Sequence, residues 1–177
     1  MTAADPATVV AAARGWLGTP YHDQASVRGV GCDCLGLARG VWREVVGPEP
    51  LPIPPYSRDW GETGPCEVLA EGARTCMIEI EPSKAGPGTL LLFRMGPRAI
   101  AKHVGILTEP DRFIHAYERL GVIDESMTAP WRRRVAFAFL FPGKNRPQPW
   151  RAARSIAIIG GALPTRMVPT GSKPCRR

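Results

Sequence analysis

The sequence predicts an α+β domain, and three observations carry that reading. Two helical stripes fill the first 47 residues, four β-type segments crowd between 89 and 141, and a proline-rich crossover separates the two groups. Helices followed by a β meander imply helices packed on one antiparallel sheet. At 177 residues and 44% hydrophobic, the chain can bury one ordinary core. The expected division is a domain over 1–142 and a basic Pro/Gly/Arg-rich arm over 143–177.

The first helix starts at Asp5-Pro6, an N-cap side chain followed by proline where a missing N–H costs nothing. Val9, Val10, Ala13, Trp16 and Leu17 then fall on one face, and Gly18 stops the run. The second helix is expected from Cys34 to Val46, with Leu37, Val41 and Val45 as its buried stripe and Gly47-Pro48 as its end. Residues 48–55 (PEPLPIPP) hold five prolines, which exclude regular helix and central strand and leave an extended linker. A helix over 65–73 and a short strand over 77–80 follow. The β segments are TLLLFRM (89–95), IAKHVGILT (100–108), RFIHAY (112–117) and VAFAFLF (135–141), with Gly96-Pro97 and Pro110-Asp111 as turns. Trp131-Arg132-Arg133-Arg134 reads as a solvated turn or helix end.

The net charge of +7 is unevenly placed. Residues 1–142 carry 15 Lys/Arg against 16 Asp/Glu, whereas 143–177 carry 8 Lys/Arg and no acid. A near-neutral domain argues against a nucleic-acid face, so no nucleic acid is expected as partner. No window approaches eighteen apolar residues, and MTAADPATVV lacks the basic and apolar regions of a secretory signal. Synthesis in the cytoplasm without membrane insertion is the expectation. Five cysteines without a CxxC pair suggest reduced thiols rather than a disulfide framework or zinc ribbon, and no cofactor or metal is expected.

One stretch can carry chemistry. GVGCDCLGL (29–37) places Cys34 where a glycine-rich turn becomes a helix, among unpaired N–H groups at the positive end of the helix dipole. Such a position is expected to draw the thiol toward thiolate. His103 and His115 lie in successive β segments with the same side-chain parity, so a hairpin turning near Pro110-Asp111 sets them side by side on one face. If that face meets the start of the Cys34 helix, His103 accepts the Cys34 proton and His115 orients the His103 ring. Cys32 lies in the turn and reads as structural.

GTPY at 18–21, the DCxGL pattern at 33–37, PGxLLLF at 87–93, HVGIL at 103–107 and FIHA at 113–116 run co-linearly over residues 7–141. Together they resemble the NlpC/P60 family of cysteine peptidases, and more narrowly the cell-wall peptidases of phage tails and gene transfer agents. The resemblance implies a papain-like α+β fold and hydrolysis of an amide bond in peptidoglycan stem peptides, often that between D-glutamate and a diamino acid. It also implies Cys34 as nucleophile, His103 as base, His115 as the third polar residue, and Tyr21 and Asp33 as substrate-binding residues. Leu35 stands where the family usually has serine, and Thr89 where aspartate is common. The implied setting is a tail or particle acting in the periplasm or wall of a target cell, with tail or baseplate proteins docked through 143–177. A structural tail component with a vestigial site, or a papain-like amidase or acyltransferase, are the alternatives.

Overall fold

The computed structural model describes residues 2–56, 66–96 and 99–144. The expected arm lies, beyond Lys144, outside the described residues, as does the expected start of the third helix at residue 65.

Helix α1 (Pro6–Arg14) begins as its sequence requires, with Asp5 Oδ2 accepting from the Thr8 N–H at 3.0 Å and the Thr8 hydroxyl at 2.8 Å. Its Val9, Val10 and Ala13 are buried, as is Trp16 just beyond it, whereas Leu17 is 44% exposed and leaves the predicted stripe. The helix ends at Gly15, so the 3.6-residue period no longer governs residue 17. A two-stranded ribbon, β1 (Ser26–Val27) and β2 (Gly31–Cys32), then leads into α2 (Cys34–Val45). Leu37, Ala38, Val41, Trp42 and Val45 form the buried face of α2.

Helix α3 (Val68–Cys76) is displaced three residues toward the C-terminus from the expected span, and β3 (Ile78–Ile80) follows it. The main sheet continues with β4 (Thr89–Arg94), β5 (Ala101–Glu109), β6 (Arg112–Tyr117), β7 (Gly121–Ser126) and β8 (Val135–Leu140). All pairings are antiparallel, in the order β3-β8-β4-β5-β6-β7. The meander from β4 to β7 matches the expectation, and β8 returns to lie between β3 and β4. Strand β7 and the short helix α4 (Ala129–Arg134) between it and β8 were not expected as such: GVIDES lacks the apolar runs that mark β4 to β6.

Alternating residues of β4 feed two cores. Leu90 and Leu92 join α1, α2 and α3 on one face, while Leu91 and Phe93 pack with Leu107, Phe113 and Trp131 on the other. The run 131–134 is a helix end, the last turn of α4, but its Trp131 is a core residue at 6% exposure rather than a solvated one. Among the described residues no helix is long and apolar enough to cross a membrane.

Candidate active site

Cys34 is the first residue of α2, and the turn before it is held by one carboxylate. Asp33 Oδ1 accepts from the Gly36 N–H at 2.6 Å, while Oδ2 accepts from the Gln24 N–H at 2.8 Å and the Tyr56 hydroxyl at 2.5 Å. Helix start, preceding loop and the end of the proline-rich segment thus converge on a side chain only 4% exposed. Gly36 explains the glycine of DCLGL, because a Cβ there would lie 1.8 Å from the Ala25 carbonyl oxygen. The loop can close over the helix only if that position has no side chain.

The Cys34 sulfur lies 4.0 Å from the Lys102 carbonyl oxygen on β5, and the backbone N–H groups of Val104, Leu35 and Cys34 itself favour its charged form. It opens into a cleft of about 460 Å³ shared with His103, Tyr21, Asp33, Tyr56 and Lys102. His103 follows Lys102 in the chain, so the β5 backbone brings sulfur and imidazole to the same place. His103 Nε2 is 2.8 Å from His115 Nδ1, which leaves His103 Nδ1 as the ring nitrogen free to serve the thiol. His115 is fully buried, and its Nε2 is 2.8 Å from Glu125 Oε2. The other oxygen of Glu125 accepts from the Trp131 indole N–H at 2.9 Å.

The strand register refines the expected geometry. Ile106 pairs with Ile114 and Leu107 with Phe113, which sets His115 across from Gly105 and makes His103 its diagonal neighbour rather than its direct partner. A Cβ at Gly105 would lie 2.7 Å from the Phe113 ring and 3.3 Å from the His115 Cβ, so glycine leaves the room that both rings need. His103 also stacks on Trp131, with centroids 5.9 Å apart and planes at 29°. The two imidazoles accordingly belong to the aromatic layer of Phe93, Phe113 and Trp131, on the face of the sheet away from α2. Nucleophile and base come from opposite faces and meet at the start of β5.

The expected drift of Cys34 toward thiolate does not occur. Burial pushes the thiol up to about 11, the adjacent Asp33 carboxylate adds to this, and the three N–H groups offset only part. Burial likewise depresses His103 to about 3, with His115 adding to the effect. His115 is lowered by burial against an opposing pull from Glu125. Burial thus opposes charge on both the thiol and the imidazole. Cys32, wholly buried and pushed up to about 12, is an inert core thiol. Cys32, Cys34 and Cys76 are free.

Tyr21 pairs its backbone with Cys32, and its hydroxyl donates to Asp23 Oδ1 at 3.1 Å. Burial, then Asp23, raises its pKa, so it faces the cleft as a neutral phenol. Sequence reasoning brought Cys34, His103, His115, Tyr21 and Asp33 to this region but missed Tyr56, Glu125 and Trp131. Tyr56 follows a proline run that gave no local signal, and Glu125 sits on the strand that the apolar pattern did not reveal. Among the described residues no cluster of His, Cys, Asp and Glu is arranged to hold a metal ion.

Comparison with known proteins gives one consistent answer. Residues 18–139 match the sequence model of the NlpC/P60 family. The chain is 32% identical over 120 residues to the murein DD-endopeptidase MepS/murein LD-carboxypeptidase of Escherichia coli K12, a match covering 67% of this chain and 54% of that protein. It thus spans about half the length of that curated relative. The solved NlpC/p60 domain of the peptidoglycan hydrolase SagA superposes with a TM-score of 0.51 at 26% identity, covering 76% of this chain and 97% of that one. A lipoprotein-like NLP/P60 structure from Staphylococcus aureus Mu50 has the same fold, with a TM-score of 0.53 at 22% identity over 80% of this chain and 43% of that one. A cysteine at a helix start, a paired-histidine hairpin and a match spanning both establish that this chain belongs to the NlpC/P60 family.

Proposed function

We propose that the protein is a cysteine endopeptidase that hydrolyses an amide bond in peptidoglycan stem peptides. The observation that carries this is the meeting of Cys34 and His103 in one cleft, with His115 bonded to the far nitrogen of His103. His103 Nδ1 takes the thiol proton as sulfur attacks the scissile carbonyl. Backbone N–H groups around Cys34 stabilise the resulting oxyanion, a contribution of about 3 to 4 kcal/mol per donor in comparable sites. The imidazolium then protonates the leaving amine, and the acyl-enzyme is hydrolysed by water that gives its proton to His103. The E. coli relative and SagA are named as murein or peptidoglycan enzymes, which supports this substrate class.

The scissile bond is proposed to be of the D-glutamyl–diamino acid type, within a stem whose amine end is covered. Both Asp33 oxygens are already engaged and Leu35 offers no hydroxyl, so neither residue flanking the nucleophile is available to grip a free amine. We assign the protein to a phage-like tail or gene transfer agent that acts on the periplasm or wall of a target cell. The support is the strongly basic 143–177 segment, suited to docking on acidic tail or baseplate proteins.

Purified sacculi digested with the wild type should release stem-peptide fragments, and Cys34→Ala with unchanged circular dichroism should release none. Activity retained in Cys34→Ala removes the assigned nucleophile, and an inert wild type favours a structural tail component. Product masses identify the bond: whole stems freed from sugar mean an amidase, and internal cuts mean an endopeptidase.

A further inference from the structure

Beyond Cys34, His103 and His115, the hydrogen-bond chain continues to a carboxylate that the reaction does not touch. We infer that Glu125 is a positioning residue that fixes the tautomers of both histidines, and that Trp131 in turn holds Glu125 in place. The inference rests on the peptidase reading above for its purpose, but not for its test.

The argument is one of donors and acceptors. A carboxylate only accepts, so the 2.8 Å contact of Glu125 Oε2 requires the proton of neutral His115 on Nε2. His115 Nδ1 is then bare and must accept, so the 2.8 Å contact with His103 puts the His103 proton on Nε2. His103 Nδ1 is thereby left with a free lone pair, the state a general base needs. Glu125 thus determines, across two rings, which nitrogen can take the thiol proton. Trp131 completes the device: its indole N–H occupies Oε1, so the carboxylate is held from both ends by donors. The environment favours the pattern, since His115 is fully buried and its Nε2 has the Glu125 carboxylate as hydrogen-bond partner.

Replacing Glu125 by glutamine creates a conflict that can be read out. With its oxygen toward His115, the glutamine NH₂ opposes the Trp131 N–H, donor against donor. With its oxygen toward Trp131, the NH₂ faces His115 Nε2 and reverses both tautomers, which places a proton on His103 Nδ1. Glu125→Gln should therefore slow iodoacetamide alkylation of Cys34 at pH 7 by about 10- to 100-fold, by analogy with the loss when hydrogen-bond partners of metal-binding histidines are removed. Trp131→Phe removes the competing donor. The double variant E125Q/W131F should recover to within a few-fold of W131F alone, because the glutamine oxygen is then free to accept from His115. A purely structural role for Glu125 predicts the reverse, a double variant worse than either single one.

An E125Q protein that alkylates at the wild-type rate, or a double variant no faster than E125Q, overturns the inference. Should E125Q fail to fold, ¹⁵N imidazole spectra of the wild type decide the matter. Both His103 and His115 are expected as Nε2–H tautomers, and a proton on Nδ1 of either ring overturns the assignment. An enzyme inert on sacculi with these tautomers in place would instead count against the peptidase reading alone.

Discussion

Replacing His103 by glutamine separates what burial does to the thiol from what the base does. Glutamine keeps much of the volume and cannot accept a full proton, so the buried sulfur must ionise unaided. Its pKa of about 11, against an ordinary 9.0, makes the thiolate fraction at pH 7 about a hundredfold smaller than in a free cysteine. A more basic thiolate is also a better nucleophile, and a Brønsted slope of about 0.4–0.5 returns roughly one decade. The net expectation is alkylation by iodoacetamide about tenfold slower than free cysteine at pH 7. In the wild type, His103 takes the proton during attack, and general-base assistance is typically worth about 10²- to 10⁴-fold. Rates followed by mass spectrometry, with Cys34→Ala to subtract Cys32 and Cys76, should differ between wild type and variant by at least about 100-fold. The variant's rate should climb with pH toward a midpoint near 11. A variant within a few-fold of wild type at pH 7 refutes His103 as the base, and a midpoint near 9 refutes burial as the cause of the raised pKa.

Gly36→Ala should destabilise the domain by about 3 kcal/mol or more, since the new methyl meets a backbone carbonyl that cannot swing aside. The corresponding drop in Tm is about 6–12 °C for a domain of this size, and an unchanged Tm in a thermal melt would contradict the close packing of loop on helix. Acid should also weaken the fold. His103 sits near 3 when folded and 6.5 when unfolded, so between these values the unfolded chain binds a proton that the folded one refuses. Stability intact above pH 6.5 is then lost as pH falls toward 3, with His115 acting in the same direction. Urea midpoints at pH 7 and pH 5 should move apart in the wild type and less so in His103→Gln, whereas equal separations would contradict the assignment.

The parts of this molecule that were legible in the sequence are those whose information is local. The Asp5-Pro6 start, the stripe of Leu37, Val41 and Val45, and the β segments around His103 and His115 follow from caps and periodicity. Strand β7 was not legible because a strand at the sheet edge needs less apolar surface, and Ile123, Asp124 and Glu125 are only half-buried. Trp131 was misread because three arginines follow it, while its burial depends on the distant strands β4, β5 and β6. The thiol pKa could not be read at all. The helix start is a local feature that lowers it, but desolvation by the surrounding fold is larger and has no sequence signature. Asp33 shows the same limit: its place before the nucleophile suggested substrate, yet Gln24 in the preceding loop and Tyr56, 23 residues on, occupy its second oxygen.

The sheet gives the active pair an alignment problem that a one-sided site would not have. Cys34 is carried by the helical layer and His103 by the aromatic layer, and at the site the main chain at Lys102 to Val104 joins the two. A small slip of either layer, too slight to unfold anything, changes the sulfur-to-imidazole distance directly. Reactivity of this thiol therefore reports the registration of two separately packed cores, and it should fade under gentle denaturant before any spectroscopic sign of unfolding appears.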